Sequence, residues 1–539
     1  MAFGSITALA AEGQTTDIWD GTADTSWYTG HETESEYHIT TAEQLAGLAQ
    51  LINTGTITFK GKTVYLDNDL DLDKREWISI GKGKGGNQAA YSFCGIFDGQ
   101  GHVISNLYSR DSLMPKTNVG DDKENCYRQG LFGNVYDGEV KNLGIENADI
   151  IVDLNYASTY GKGILVDWLC NSKITNCWTS GSISGGAYLE HYVGGIAGCT
   201  LKNSTLAGCY STATITGNYK GTYYEEENGN VMTYFDCLGG IAGGMLDGSL
   251  TVEDCWFSGK INVNSVQATV GGMVGYSDNA SVTNCMVTSA DLAADKGGNT
   301  CWVVYSGSSL GTAENNYWPA DDRYQATLLK EQDGTAVSDF TSADVLSGLQ
   351  AKQGAGIEWV AGIDHPTFAW DDRNIPADYT AVDAAIAKAD KIDGTLYSNY
   401  EDVKAAINAV DRKKSKYEQK IVDAMAKSIE DAVAGLKEKD NGKDNNKDNN
   451  TPVNPQIKTY TVTFKAAGGS AVKAQQVEEG KLVSKPKKPT RKGYKFAGWY
   501  AGKTAYKFDT PVKANLTLTA KWTKIKVKKI KITGMSKQI

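Results

Sequence analysis

The sequence predicts a mainly β fold, a right-handed parallel β-helix (β-solenoid), followed by a small three-helix bundle and a small β domain. Three observations lead there. First, one pattern returns four times between Gly163 and Met286. A glycine-rich strand (Gly163-Ile-Leu-Val-Asp, Gly194-Gly-Ile-Ala-Gly, Gly239-Gly-Ile-Ala-Gly, Gly271-Gly-Met-Val-Gly) precedes a second strand that ends at Cys177, Cys209, Cys255 or Cys285. These cysteines are 32, 46 and 30 residues apart, a near-constant period typical of stacked repeats that bury their apolar faces against their neighbours. Second, the strands are short, β-branched and bounded by Gly, Asn and Ser, with no helical periodicity. Third, the composition shifts to Ala, Asp, Lys and Ile past Trp370 and to period-two alternation past Ile457.

The chain opens with Met1-Ala-Phe-Gly-Ser-Ile-Thr-Ala-Leu-Ala-Ala11, which reads as a signal-peptide remnant over 1–12, with an Ala-x-Ala cleavage pattern at Ala8-Leu9-Ala10 but no basic start. Residues 13–372 form the expected solenoid. Thr41-Ala-Glu-Gln44 is a capping-box pattern ahead of Leu45, Leu48, Leu51 and Ile52, which predicts an amphipathic helix over the open end of the stack. Covering that end matters because an unpaired strand edge templates aggregation. Strands are expected at Thr63–Leu66, Trp77–Ile80, Gly95–Phe97 and Val140–Ile145, with Gln129-Gly-Leu-Phe-Gly133 opening a coil.

Within each repeat, glycine suits a corner needing a positive φ or a close approach to the next coil. The cysteines suit a buried ladder of small apolar groups, with disulfides or reactivity as the alternative. All ten cysteines precede residue 302.

Several stretches resemble known modules. Leu45-Ala-Gly-Leu48, the run Phe59 to Leu72, Trp77-Ile-Ser-Ile-Gly81, Gly95-Ile-Phe-Asp-Gly-Gln-Gly-His-Val-Ile104 and Gly130-Leu-Phe-Gly133 resemble the GLUG-repeat β-helix proteins of bacterial surfaces. The resemblance spans roughly 36–370, and His365-Pro-Thr-Phe-Ala-Trp370 is similar to their closing strand. Similar modules flank the protease part of bacterial immunoglobulin A peptidases, whose His-Glu-x-x-His zinc motif this chain lacks.

Past Trp370, Val382, Ala385, Ile386 and Ala389 form one helical stripe, Val403, Ala406, Ile407 and Val410 a second, and Ile421, Met425, Ile429 and Val433 a third. This bundle, 377–437, resembles the FIVAR module. The polar run 438–456 is expected to be a disordered linker. Tyr460-Thr-Val-Thr-Phe464, Lys492 to Tyr500 and Leu516 to Trp522 alternate as strands, and 457–523 resembles the Listeria–Bacteroides repeat, which implies a ubiquitin-like β domain. The segment 524–539 resembles the first strand of a bacterial Ig-like domain, so the natural protein is expected to continue.

The overall charge of −10 is unevenly divided. Residues 457–539 hold 20 Lys and Arg against 3 Asp and Glu, a net +17, which leaves −27 for 1–456. With plain solubility as the alternative, a basic region of this kind is expected to face an anionic surface. For an exported chain that means cell-wall polyanions or acidic glycans ahead of nucleic acid. No stretch approaches the roughly 18 apolar residues of a membrane span.

Chemistry is harder to place. The insertion Asn218–Asp236 lengthens one repeat and carries Tyr219, Tyr223, Tyr224, Glu225, Glu226, Glu227, Tyr234 and Phe235. It reads either as a ligand-binding loop suited to sugar stacking or as a tolerated surface insertion. Gly81-Lys-Gly-Lys-Gly-Gly86 lacks the following helix of a dinucleotide site, and Gly307-Ser-Ser-Leu-Gly311 lacks the helix of a nucleophile elbow. Asp67, Asp69, Asp71 and Asp73 alternate without the glycine and glutamate of a calcium loop, and the five histidines show no zinc spacing. No cofactor or metal is therefore expected.

Glycosidase chemistry needs two carboxylates about one sugar. Asp98, Asp153, Asp167, Glu190, Glu225 and Asp236 are candidates, with no pair singled out. The expectation is a secreted or cell-surface binding protein of a Gram-positive-like bacterium that presents its solenoid to glycans or host proteins. The alternative is a β-helix glycoside hydrolase or polysaccharide lyase.

Overall fold

The computed structural model describes residues 19–439 and 459–524, apart from 83–88, 111–127, 153–160, 186–191, 218–222, 226–230, 234–235, 264–267, 290, 295–298, 306–310, 322–324, 328–331, 479, 487, 492–493, 503 and 509–510. The expected signal remnant, most of the expected linker and nearly all of 524–539 lie outside the described residues. The chain divides into two compact units, Met1–Lys439 and Asp440–Ile539.

The first unit is mainly β. Among the described residues its principal sheet joins 30 strands, and strands of successive repeats pair in parallel, an arrangement compatible with a β-helix or solenoid. The register repeats from coil to coil, with local shifts such as those between Thr179 and Gly181 and between Thr200 and Leu201. Gly163, Gly194, Gly239 and Gly271 are successive partners, as are Ile174, Leu206, Val252 and Val282. The latter four are fully buried, and each such side chain contributes about 1.5–3 kcal/mol on leaving water.

The glycine motifs serve close approach rather than a special φ. A Cβ on Gly195 would lie 2.2 Å from Gly240 O, and one on Gly240 would lie 2.2 Å from Gly272 O. The positive-φ corner falls instead to the residue before the cysteine column: Asn142 (54°), Asn176 (52°), Gly208 (61°), Asp254 (49°), Asn284 (56°) and Asn315 (50°). Asn and Asp tolerate this region because their short polar side chains bond locally. Here Asn142 Nδ2 donates to Asp98 Oδ1 (2.9 Å), and Asn315 Nδ2 donates to Asn284 Oδ1 (2.6 Å). The same corner breaks the expected strand Val140–Ile145 into Glu139–Lys141 and Gly144–Val152.

Cys177, Cys209, Cys255 and Cys285 are buried and unpaired, as the ladder reading expects. Cys177 N donates to Cys209 Sγ and Cys255 N to Cys285 Sγ, both at 3.4 Å. In the next coil Asn316 takes the sulfur's place, its Oδ1 accepting from Cys285 N at 2.9 Å. Burial pushes the Cys177 and Cys255 thiols well above their ordinary pKa.

Helix α1 (Ala42–Asn53) begins where Thr41 Oγ1 accepts from Gln44 N. The Gln44 amide oxygen returns to Thr40 N, one residue earlier than the capping box expects. Leu45, Leu48, Leu51 and Ile52 join the same continuous core as the coils. The expected strand Trp77–Ile80 is reduced to isolated bridges at Glu76 and Ile80. Trp77 Nε1 and Ser79 Oγ reach across to Leu131 O and Gly130 O instead.

Residues 340–376 run back over the outside of the coils. Helix α2 (Ala343–Lys352) and the antiparallel pair Trp359–Val360 and Thr367–Phe368 cover the outward column Trp178, Tyr210, Trp256, Met286 and Tyr317. The Asn corner anchors this strap: Asp254 accepts from Trp359 Nε1 and Gly354 N, both at 2.8 Å. Helices α3 (Thr380–Ala389), α4 (Tyr400–Asn408) and α5 (Gln419–Ala434) then share one core built on Val382, Ala385, Ala389, Val403, Val422, Met425, Ala426 and Ile429. Among the described residues no helix is long and apolar enough to cross a membrane.

The second unit is a five-stranded sheet in the order Gln475–Glu478, Thr459–Lys465, Leu516–Lys524, Tyr494–Ala501, Thr504–Ala505. Its two central strands, Thr459–Lys465 and Leu516–Lys524, are parallel. Val462, Phe464, Trp499 and Leu518 are prominent in its core.

Candidate binding groove

The outward column that the strap covers has a gap. Val103, Gly144, Trp178, Tyr210 and Trp256 occupy equivalent places in successive coils, and Gly144 supplies no side chain there. Trp178 leans into the space: a Cβ on Gly144 would lie 2.4 Å from its ring. The strap ends over the next coils, where Trp370 stacks on Tyr210 (centroids 5.9 Å apart, planes at 17°). Below it remains a cavity of about 610 Å³.

One wall comes from coil corners. Asp69 accepts from Val103 N (3.0 Å) and bonds His102 Nδ1 (3.0 Å). Asp98 ends the strand Ile96–Asp98 and accepts from Gln100 N (3.0 Å) and Asn142 Nδ2 (2.9 Å), with Lys141 Nζ at 3.5 Å. The other wall is the strap's exit, Trp370 to Arg373, with Tyr417 from the turn before α5. The Arg373 guanidinium lies 4.7 Å over the Trp178 ring and 4.1 Å over Tyr417, and Nη1 donates to Glu146 Oε1 at 3.2 Å. Cation–π stacking on two rings fixes it as a rigid rib of the groove.

Asp371 is buried behind this wall. It accepts from Tyr210 Oη (3.1 Å), Thr367 Oγ1 (2.5 Å) and Asn374 Nδ2 (2.6 Å). Burial raises its carboxyl above the usual range, against the pull of those donors. Burial and then the Asp371 charge push the Tyr210 phenol well up. Asp372 instead faces outward and pairs with Lys416 Nζ at 2.8 Å. Trp370 Nε1 finds no hydrogen-bond partner among the described residues.

Aromatic faces beside carboxylate acceptors form a surface on which an apolar ring face can stack while hydroxyls donate at its edge. Among the described residues, no cluster of three His, Cys, Asp or Glu could hold a metal ion.

Among the candidate acids whose side chains are described, Asp98 alone lines the groove. Asp167 is fully buried and accepts from the backbone N–H groups of Gln129 (2.7 Å), Gly130 (3.1 Å) and Gly163 (3.1 Å). Burial raises its carboxyl, while Lys162 and Arg128 pull it down. It holds the coil turn and cannot touch a sugar. Asp236 is also buried, in the strand Asp236–Gly239. Asp153 and Glu190 lie outside the described residues.

In the insertion, Tyr223–Glu225 and Val231–Thr233 pair as an antiparallel hairpin separate from the main sheet. Tyr219, Glu226, Glu227, Tyr234 and Phe235 lie outside the described residues. Sequence reasoning missed Trp178, Trp370, Arg373 and Tyr417. One signal was legible: Val140-Lys-Asn-Leu-Gly144 repeats the pattern Ile174-Thr-Asn-Cys-Trp178 with glycine in place of the bulky residue.

Residues 460–521 match the Listeria-Bacteroides repeat domain. Halomucin of Haloquadratum walsbyi is 31% identical over 196 residues, 35% of this chain and 2% of that protein. A protein of Evansella cellulosilytica described as "Putative membrane protein" is 38% identical over 71 residues, 12% of this chain and 11% of that one. The chain thus spans only a small part of the curated relatives it matches. A solved structure from Bacteroides ovatus, described as a "putative immunoglobulin A1 protease", aligns with 62% of this chain and 92% of its own at 23% identity and a TM-score of 0.41.

Proposed function

We propose that the protein is a cell-surface carbohydrate-binding protein whose ligand lies in the groove between the coil corners and the end of the strap. The observation that carries this reading is the convergence of Trp178, Trp370 and Tyr417 with Asp69 and Asp98 about one open cavity. In this reading Tyr417 offers the ring face that Arg373 leaves free, Trp370, already stacked on Tyr210 and Phe368, backs the groove, and Asp69 and Asp98 accept hydroxyl hydrogen bonds. The hairpin that includes Tyr223–Glu225 adds a second contact for long polymers or host proteins. The finer architecture we propose is a right-handed parallel β-helix of GLUG type, a FIVAR-like bundle at 377–437 and a ubiquitin-like module at the C-terminus.

Export to the surface is supported by the Listeria-Bacteroides repeat match and by the partial relatives, a halomucin and a protein described as a putative membrane protein. In the second unit, Lys521 Nζ lies 3.8 Å over Tyr500 and the Arg491 guanidinium 3.9 Å over Tyr494. That basic module is proposed to hold wall polyanions. The test is a glycan array probed with the full chain and with Tyr417→Ala, which removes a side chain that is 64% exposed. Loss of the hits in the variant supports the groove, and hits that persist unchanged overturn it. Product analysis of each hit separates a binder from a hydrolase or lyase.

A further inference from the structure

The charges that line the groove constrain what it can hold. Among the described residues, Asp69, Asp98 and Asp372 contribute carboxylates to its walls, with Asp371 buried behind them, against the single lining cation Arg373. That cation is already committed. Its two faces are taken by Trp178 and Tyr417, and its Nη1 is paired with Glu146. It therefore offers an incoming carboxylate little uncompensated charge. Lys141 and Lys416 lie at the margin, each beside one of these aspartates, at 3.5 Å from Asp98 and 2.8 Å from Asp372. Asp69 keeps most of its side chain in solvent (63%), hydrogen-bonded to the His102 ring and to Val103 N.

A carboxylate brought into such a site meets like charge, which costs affinity without any steric clash. Hydroxyl groups meet acceptors. We infer that the groove selects uncharged sugar chains and rejects uronate-bearing ones, so the protein assigns neutral saccharide to the groove and leaves polyanions to its basic module. The inference rests on the proposed carbohydrate reading and adds the ligand's charge class.

The experiment measures binding of the full chain to a neutral hexasaccharide set (β-1,4-glucan and β-1,4-mannan) and to hexagalacturonate. Only the part of the affinity lost in Tyr417→Ala counts as groove binding, which removes any contribution of the basic module. Circular dichroism checks that each variant is folded. The expected result is Tyr417-dependent binding of a neutral chain, with hexagalacturonate at least about tenfold weaker, and a narrowing of that gap in Asp69→Lys. Equal Tyr417-dependent affinity for both classes overturns the charge selection but leaves the carbohydrate groove standing. An unchanged gap in Asp69→Lys removes electrostatics as its cause and overturns the inference in the same way. Absence of Tyr417-dependent binding to any saccharide overturns the groove reading itself.

Discussion

Asn142, Asn176, Asn284 and Asn315 show how much one backbone angle decides. Each sits at positive φ, which frees the following residue to point inward as the cysteine column does. At this scale the glycines are constrained by contact: Gly240→Ala would place a methyl 2.2 Å from Gly272 O. Because that neighbour is backbone of the next coil, the substitution should cost about 1–3 kcal/mol in overpacking, read as a lower midpoint in urea unfolding. The cysteine ladder makes a separate prediction. Cys177, Cys209, Cys255 and Cys285 should resist alkylation in the native protein and label fully in denaturant without reductant. Labelling that waits for reductant would mean disulfides and would sink the ladder.

Among elements, the strap is the one whose hold depends on pH. His365 packs edge-on against Trp256 with centroids 4.4 Å apart, and burial holds its pKa below the ordinary 6.5, against the opposite pull of Asp364 and Asp371. A base with a depressed folded pKa stabilises the fold above its unfolded pKa and loses that contribution as pH falls through the folded value. Stability should therefore drop on acidification below about 6.5, and His365→Gln should flatten that part of the profile. Raised Asp371 acts in the opposite sense, its contribution being complete at low pH and lost as pH rises through its folded pKa; the profile of Asp371→Asn isolates it. The hairpin is an addition to the stack. Tyr192–Gly194 pairs directly with Cys237–Gly239 beneath it. Replacing Tyr219–Phe235 by a Gly-Ser turn should leave the unfolding midpoint nearly unchanged and spare short oligosaccharide binding, while weakening attachment of long polymers. A drop in the midpoint would instead make the insertion part of the fold.

For the whole molecule, the separation of charge is the main physical fact. The region 457–539 carries +17 while the remainder carries −27, and each lies largely in its own compact unit. Attraction of the basic unit to an anionic wall polymer should weaken steeply between low and high salt, since the Debye length is only about 8 Å at roughly 0.15 M. Cell-wall sedimentation across a salt series measures it, and binding indifferent to salt would remove the electrostatic account. Neutral-sugar binding in the groove should change little over the same series.

The sequence alone determined the repeat, its register and its core, because a solenoid writes each structural column as a periodic residue. The glycine strands, the Ile174-Leu206-Val252-Val282 stack and the four cysteines could all be read from spacing. Local rules also located α1 and the three later apolar stripes, although in α5 Val422 rather than Ile421 turned out fully buried. Spacing could not say which residue takes the positive φ, since Asn and Gly both allow it, and the ladder of side-chain amides between coils settled it. Nor could spacing find the groove. Asp69, Asp98 and Trp178 come from the coils, while Trp370, Arg373 and Tyr417 lie far along the chain. They meet only because the strap folds back over the outward column and stops where Gly144 leaves it open. Long-range packing of that kind follows from which surfaces remain apolar once the coils have stacked, and that is a property of the assembled fold rather than of any segment of sequence.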